Sequence, residues 1–300
     1  MPPFLSEPQT EALIGLGLRH PHIDEALSNN PINNNIDFIE IHAENFFAAG
    51  GITQALLQDT AQRYKISVHG TSLGLGSALK VPAETLEKFA RVVKNANAFL
   101  VSEHLCFNRV PTNNGIFHSG DLLPLAYNQQ ALDTICSNIH QVQDTLKRPI
   151  LIENLSAYVL PSQLHEQAND SMSEQAFLVS MAEKSGCGLL LDLNNLIVNA
   201  LNQGVDDPVT YIFKEMSSLP TSLVGEIHLA GFSDTKLNGF IVDDHANFVS
   251  EQCWQLYELI IAKLGPKPTL IEWDNELPSW AELVGEAGKA KKIAGNISHE

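Results

Sequence analysis

Eight short runs of apolar and β-branched residues, recurring every few tens of positions, predict a (β/α)8 barrel, the TIM barrel fold. Stretches with the periodicity of amphipathic helices lie between the runs, and this alternation is typical of parallel strands joined by helices. The 300 residues suit a single domain, 1–300, because one barrel takes about 250 residues before insertions. An open doubly wound sheet is the alternative that the alternation alone also allows.

The predicted strands are nearly continuous in apolar character, as expected of parallel strands covered on both faces. In chain order they are residues 13–19, 37–42, 65–70, 98–104, 149–154, 188–194, 224–230 and 268–273. Between them, residues 83–96 and 254–264 place apolar side chains at helical spacing, which predicts two amphipathic helices. Residues 29–35 predict a turn-rich loop, and 155–175 predict a long excursion after the fifth strand.

The charge balance argues against two classes of partner. The formal net charge is -17, from 35 acidic and 18 basic side chains. Nucleic acids are gripped mainly by clustered Lys and Arg, so a nucleic-acid partner is not expected. Docking on an anionic membrane is disfavoured for the same reason. Since no apolar run approaches the roughly 20 residues of a membrane span, and the N-terminus lacks the pattern of a signal peptide, we expect a soluble cytoplasmic protein.

Cysteine usage and glycine-rich segments are less informative. The four cysteines are widely scattered, which indicates buried reduced thiols rather than a disulfide scaffold or a Cys-based zinc site. Residues 15–18 and 70–77 are rich in glycine but lack the spacing and the Lys of a phosphate-binding loop. We expect them to form tight turns near the site. No Ser-His-Asp or Cys-His arrangement emerges from the spacing.

Most predicted strands end in a His or a carboxylate. These strand-end residues are His42, His69, Glu103, His104, Glu153, Asn154, Asp192, Asn194, Asn195, His228, Glu272 and Asp274, and Asp243, Asp244 and His245 follow the seventh strand. Each residue taken singly is commonly a hydrogen-bonded loop residue or an ion-pair partner. The carboxyl ends of all strands meet on one face of a barrel, however, so the whole set can converge. Imidazoles and carboxylates suit Fe, Zn or Mn, and more than eight candidates exceed the needs of one ion.

Nine motifs between about residue 15 and about residue 283 share their order and content with one known family. They are IEIHAENFF, SVHGTSLGLGS, SEHLCF, HSGDLLPL, IENLSAYV, GLLLDLNNLIVNA, EIHLAGF, VDDHANFVS and LIEWDNELP. Together they resemble the multinuclear non-heme iron-dependent oxidative enzymes. The resemblance implies an enzyme that uses iron and O2, with a partner protein that presents the substrate, to modify cysteine residues of a ribosomally made peptide.

The ligand order also resembles the wider xylose isomerase-like barrel superfamily, especially the trinuclear zinc AP endonucleases. On this resemblance one ion is bound by His69, His104 and Glu153. Glu153 then bridges to a second ion, whose other ligands are Asp192, His228 and Glu272. These six residues form the predicted catalytic set.

A third ion is implied by Asp243 and His245, which match an Asp-x-His pair of the same superfamily. Asn195 stands where that superfamily has a His. An amide oxygen is a weaker and harder ligand than imidazole, so the third ion is expected to be labile, and the preference shifts away from zinc. The expected cofactor is therefore iron, at two or three ions per chain.

The resulting hypothesis is an iron- and O2-dependent oxidase that acts on the cysteines of a precursor peptide. A zinc-dependent phosphodiesterase related to AP endonucleases is the main alternative, although the net charge is unfavourable for holding DNA. A sugar isomerase-like metalloenzyme and a non-catalytic metal-binding module are further alternatives. The sequence leaves the identity of the peptide open.

Overall fold

The computed structural model describes residues 11–158, 171–233, 236–237 and 239–297, and the predicted barrel is confirmed in them. Eight parallel strands form a closed ring, and each of the eight predicted runs contains one of them. The barrel strands are β1 (Ile14–Gly17), β2 (Phe38–His42), β3 (Lys65–Gly70), β4 (Leu100–His104), β7 (Leu151–Glu153), β8 (Gly188–Asp192), β9 (Val224–Leu229) and β12 (Thr269–Ile271). The ring closes where β1 pairs with β12, with Ile14 opposite Thr269.

Helices cover the outside of the ring. They are α1 (Ile23–Leu27), α2 (Ile52–Arg63), α3 (Ala83–Asn95), α4 (Gln129–Leu146), α5 (Glu174–Ser185), α6 (Leu193–Asn202), α7 (Pro208–Met216), α8 (Glu251–Leu264) and α9 (Trp280–Ile297). Both predicted amphipathic helices are confirmed, as α3 and α8. The predicted loop at 29–35 instead contains a 3-10 helix, Pro31–Asn35, because the Asn30 side chain accepts a hydrogen bond from the Ile32 amide and caps it.

Two hairpins interrupt the alternation of strand and helix. The longer consists of β5 (Cys106–Thr112) and β6 (Gly115–Pro124), and the shorter of β10 (Lys236–Leu237) and β11 (Phe240–Ile241). Both are inserted after barrel strands, at the carboxyl-terminal face where long loops gather. Of the predicted excursion at 155–175, residues 159–170 lie outside the described residues.

The interior of the barrel is stratified. Leu100, Leu151 and Leu190 form a small apolar cluster, separate from the main core between strands and helices. A second set of interior side chains is polar and fully buried, and we call it the polar layer: Glu40, Ser67, Ser102 and Glu226. Each member lies two residues before a histidine of the same strand, and residues i and i+2 of a strand share a face. The polar layer therefore lies directly below the histidines.

The glycine-rich segments have different roles from one another. Gly15 and Gly17 lie inside β1, so the expected tight turn there is wrong. A Cβ on Gly15 would come within 2.4 Å of the Phe38 ring, so the missing side chain makes room for that ring inside the barrel. The segment 70–77 does contain turns, and Gly74 adopts a φ of 51°, which favours glycine.

Two expectations about the rest of the chain can be compared with the structure. The four cysteines are buried free thiols, as predicted. Among the residues that the structure describes, no helix combines the length and the apolar character that a membrane span requires.

Candidate metal centre

Three of the predicted ligands converge at the carboxyl ends of neighbouring strands. His69 is the last residue but one of β3, His104 ends β4 and Glu153 ends β7. The Nε2 atoms of the two histidines are 3.3 Å apart, and Glu153 Oε2 lies 3.4 Å from one and 3.5 Å from the other. Ligands about 2.1 Å from one ion lie about 3.0–3.4 Å from each other, so this triangle has the size that a metal ion requires.

A second group shares Glu153 with the first. The ligand atoms of Glu153, Asp192, His228 and Glu272 all lie within 4.8 Å of one another, and all four residues are buried. The Nδ1 atom of His228 is 3.1 Å from Glu272 Oε2. The two groups thus have the composition predicted for two ions, with one carboxylate common to both.

The residues predicted for a third ion line the same cavity but are less tightly gathered. His245 Nε2 lies 2.9 Å from Asp243 Oδ1 and 3.9 Å from Asp192 Oδ2. The Nδ1 atom of His245 is 3.3 Å from Glu272 Oε2. Asn195 donates from its Nδ2 to the Asn154 carbonyl, which leaves its Oδ1 facing no hydrogen-bond partner among the described residues.

Each histidine of the first two groups turns one ring nitrogen toward a residue outside those groups. His69 Nδ1 is 2.7 Å from the Ser102 hydroxyl, and His104 Nδ1 is 3.1 Å from the Gly70 carbonyl oxygen. His228 Nε2 lies 3.3 Å from Glu40 Oε2. Such outer partners fix the orientation of metal-ligating histidines, and here they leave the other ring nitrogen facing the centre.

Several buried polar atoms that face the centre have no hydrogen-bond partner among the described residues. These atoms are Glu153 Oε2, Asp192 Oδ2, Asn195 Oδ1, and both ring nitrogens of His245. Leaving a buried acceptor unpaired costs about 1–3 kcal/mol, so five together need an explanation. Metal ions accept electron pairs from these atom types, and the residues present therefore fit a metal centre.

The pKa values of the buried histidines and carboxylates also fit a metal centre. Burial, together with the imidazoles of His104 and His42, lowers the pKa of His69 well below its ordinary value. Burial lowers the pKa of His104 to about 4, so both imidazoles are neutral near pH 7 and keep a free electron pair for a metal. Burial also raises the pKa of Asp192 to about 7 and that of Glu153 well above its ordinary value. A cation would offset this cost of burying carboxylates.

His228 and Glu272 shift each other's pKa in opposite directions. Burial alone would lower the pKa of His228, but the carboxylates of Glu40 and Glu272 raise it well above its ordinary value. Burial would likewise raise the pKa of Glu272, but His245 and His228 lower it well below. The positive charge of a protonated imidazole therefore balances the carboxylates here, as a metal cation would.

Other polar strand-end residues play structural parts. Glu103 accepts hydrogen bonds from the backbone amides of Leu73 and His104, so both of its oxygens are engaged away from the centre. Asn154 joins β7 to β8, because it accepts from the Asp192 amide and donates to the Asp192 carbonyl, both at 2.9 Å.

The centre opens into a cavity of about 330 Å³. From the two groups described above, His69, His104, Glu153 and Glu272 line it, and one wall is the segment from Asp121 to Pro124 at the end of β6. His42 also lines the cavity, with Nε2 4.0 Å from Glu272 Oε1. The described lining includes six carboxylates and neither Lys nor Arg, so the cavity attracts cations and repels phosphate groups.

Sequence reasoning missed Arg19, Glu40 and Glu226. Arg19, at the end of β1, forms an ion pair with Asp274 and lies 3.6 Å from Glu272 Oε1. It supplies a buried positive charge beside the centre, but a single Arg after a strand carries no recognisable signal.

The polar layer, in contrast, has a signal in the sequence. Its members and the histidines above them form four pairs with the pattern Glu-x-His or Ser-x-His: Glu40 with His42, Ser67 with His69, Ser102 with His104, and Glu226 with His228. Four of the eight barrel strands carry this pattern. In a strand it places a polar residue beneath each histidine on the interior face.

Comparison with known proteins gives a coherent result. A family model described as the RiPP precursor modification enzyme MbnB/TglH/ChrH matches residues 13–295. A UPF0276 protein of Chromobacterium violaceum is 42% identical over 281 residues, which cover 94% of each chain. A UPF0276 protein of Vibrio vulnificus is 41% identical over 282 residues, which cover 93% of this chain and 91% of that one.

Solved structures are similar at much lower identity. Endonuclease IV from Thermus thermophilus gives a TM-score of 0.58 at 12% identity, with 95% of this chain and 99% of that chain covered. A xylose isomerase domain containing protein from Salmonella typhimurium gives 0.58 at 14% identity, with 96% and 98% covered. At these identities the likeness shows the fold alone, which is that of xylose isomerase-like barrels.

Proposed function

Because this chain belongs to the family of RiPP precursor modification enzymes described as MbnB/TglH/ChrH, we propose that it is an iron- and O2-dependent oxidase. Its substrate would be cysteine residues of a ribosomally made precursor peptide, presented by a partner protein. The observation that carries the proposal is the pair of ligand groups that share Glu153 at the floor of an open cavity. Neutral imidazoles and carboxylates are the donor set that suits iron.

Two ions would be held by the two groups. His69, His104 and Glu153 would hold one, and Glu153 would bridge to a second, whose other ligands are Asp192, His228 and Glu272. When bound, iron supplies the redox chemistry and the Lewis acidity that oxidation of a thiol by O2 requires. Asn195, Asp243 and His245 would hold a third ion weakly, since an amide oxygen replaces an imidazole.

The residues of the chain itself prepare the substrate and the site. A cavity of about 330 Å³ admits a cysteine side chain with its neighbouring backbone, and its opening lets the rest of the peptide lie outside. The substrate brings its own nucleophile as a thiolate, which agrees with a site that has no Ser-His or Cys-His pair among its lining residues. The wall at Leu122–Pro124 and Leu155 is apolar and limits the access of water.

The experiment combines iron-loaded enzyme, prepared anaerobically, with a cysteine-containing precursor peptide encoded near this chain and any protein encoded with it. Binding of the thiolate should give a sulfur-to-iron charge-transfer band in the ferric enzyme. The hydrogens that the peptide loses reduce O2 to water, so O2 uptake should track the loss of peptide mass. The matched control is the same peptide with Cys→Ser, which should give neither signal because a neutral hydroxyl is a poor iron ligand.

One result would overturn the proposal outright. If the purified protein cleaved abasic DNA without O2, and if Glu272→Gln abolished that cleavage, the centre would be hydrolytic. Such binding should also weaken steeply with added salt. The six carboxylates around the cavity and the net charge of -17 make this outcome unexpected.

A further inference from the structure

The polar layer contains two carboxylates whose burial is not explained by the fold. Glu40 and Glu226 have no measurable exposure, and none of their four side-chain oxygens has a hydrogen-bond partner among the described residues. Each lies two residues before a histidine of its own strand, and together with His228 they form a further group of possible metal ligands. Replacing buried charges by well-packed apolar residues is commonly neutral or stabilising, so stability alone does not account for them.

One imidazole, that of His228, lies near both carboxylates. Its Nε2 atom lies 3.3 Å from Glu40 Oε2 and 4.0 Å from Glu226 Oε1. The opposite ring nitrogen, Nδ1, is 3.1 Å from Glu272 Oε2, on the side of the centre. The ring of His228 therefore connects the polar layer to the ligand group that contains Glu272.

The three histidines of the centre differ in the charge of their outer partners. A hydroxyl, that of Ser102, faces His69, and a backbone carbonyl, that of Gly70, faces His104. His104 Nδ1 is also 3.9 Å from Glu103 Oε2, but His228 alone among these three has a carboxylate as its nearest outer partner. A carboxylate that accepts the N–H of a ligating imidazole fixes its tautomer and makes the other nitrogen a stronger donor to a metal.

We infer that Glu40 is the positioning residue for His228, and that it accepts the Nε2–H so that Nδ1 carries the electron pair for the ion shared with Asp192 and Glu272. This inference rests on the proposed metal centre and deepens it. Because the nearest outer partners of His69 and His104 are uncharged, the ion held by His228 is bound more tightly than the ion at His69 and His104. Glu40 thus sets the order in which the two ions are lost.

The test compares Glu40→Leu, Glu40→Gln and the matched control Glu226→Leu, which removes a carboxylate from the same layer. Binding of Fe(II) and Co(II) is titrated anaerobically, with neither O2 nor peptide present. Glu40→Leu should weaken one ion about 10- to 100-fold and the other much less, the range typical of lost outer partners. Glu40→Gln should retain most of the affinity, since its amide oxygen still accepts. Glu226→Leu should change it little.

Thermal unfolding of the metal-free proteins separates positioning from a purely structural role. Glu40→Leu and Glu226→Leu should change the Tm by similar amounts, because each removes one buried carboxylate near His228. A loss of metal affinity confined to Glu40→Leu then reflects positioning and not stability. In the zinc-loaded wild-type protein, 15N NMR of the histidine side chains should show a protonated Nε2 and a metal-bound Nδ1 for His228. This spectrum needs no variant, so it tests the inference even if a substitution prevents folding.

Three outcomes would overturn the inference. The first is equal loss of affinity in Glu40→Leu and Glu226→Leu. The second is a His228 with Nδ1 protonated. The third is loss of one whole ion per chain in both Leu variants, which would place a further cation between the two carboxylates. Since every readout is metal binding or spectroscopy, failure here is distinct from failure of the proposed oxidase activity.

Discussion

Glu153 is the carboxylate on which the two ligand groups depend. It lies 3.4 Å and 3.5 Å from the Nε2 atoms of His69 and His104, and it also belongs to the group with Asp192. We expect Glu153→Gln to lose most of the bound iron and the activity together, because a neutral amide no longer offsets the mutual repulsion of two cations. Elemental analysis after anaerobic loading measures the metal content.

The matched control for this substitution is Glu103→Gln. Glu103 is also fully buried at a strand end, but it accepts hydrogen bonds from the amides of Leu73 and His104 instead of facing the centre. This variant should keep its iron, although it should be less stable, by about 1–3 kcal/mol, because the NH2 group of Gln cannot accept the hydrogen bond of one of these two backbone amides. Full metal content in Glu153→Gln would contradict the assignment of the bridge.

Asn195 is the residue whose replacement should add a metal ion. Its Oδ1 faces the cavity without a partner among the described residues, and His245 and Asp243 line the same space. Asn195→His exchanges an amide oxygen for an imidazole, a stronger donor to Fe and Zn. We expect the content of bound metal to rise toward one additional ion per chain. Asn199→His, one turn further along α6, should add none, and an unchanged metal content in Asn195→His would argue against a third site here.

At the scale of secondary-structure elements, α4 fixes the loop that follows β3 at the rim of the centre. The Nδ2 atom of Asn138 donates to the carbonyl oxygens of Leu75, Ser77 and Leu79, at 2.8, 3.0 and 3.2 Å. Asn138→Leu would leave buried carbonyls unpaired, and we expect a loss of about 1–3 kcal/mol in the free energy of unfolding. Denaturant titration measures it, with Thr134→Ala as the control, because the hydroxyl of Thr134 donates only to Gln130 of the same helix. Equal stability of the two variants would rule out this role of Asn138.

The elements themselves were largely predictable, and the exceptions have physical reasons. The nearly continuous apolar runs located all eight barrel strands. Strands of a parallel sheet are buried on both faces, so almost every residue in them is apolar. The β5–β6 hairpin was missed because nearly all its residues beyond Arg109 are exposed, so burial leaves no pattern there. Asn113, Asn114 and Gly115, at the turn and directly after it, are residue types that favour turns and could have revealed the hairpin.

The residues of the candidate site were predictable from the sequence, but the polar layer beneath them was not. The rule that strand ends converge on one face identified the histidines and carboxylates without any distance information. Glu40 and Glu226 escaped notice because a carboxylate within a strand is ordinarily expected to face solvent. Their burial results from the closure of the ring of strands. The sequence of a single strand does not predict that closure.

At the scale of the whole molecule, metal content and fold stability should be linked. The carboxylates of Glu153, Asp192 and Glu272 are buried, and a bound cation stabilises only the folded state. Each ion present at 100 times its Kd should add about 2.7 kcal/mol, so chelation should lower the Tm by several degrees. The shift should be much smaller for Glu153→Gln. Identical melting of wild-type protein with and without chelator would contradict this linkage.

The closure of the ring between β1 and β12 also has a consequence for how the protein matures during synthesis. Ile14 pairs with Thr269, and Glu272 follows the last strand, so the ligand groups draw on residues from 69 to 272. In a nascent chain the first histidines and carboxylates are therefore synthesised long before the barrel can close and bring them together. A metal ion can bind in the final arrangement only after translation has delivered nearly the whole polypeptide, so we expect metal loading to follow folding and to serve as a late checkpoint of biogenesis.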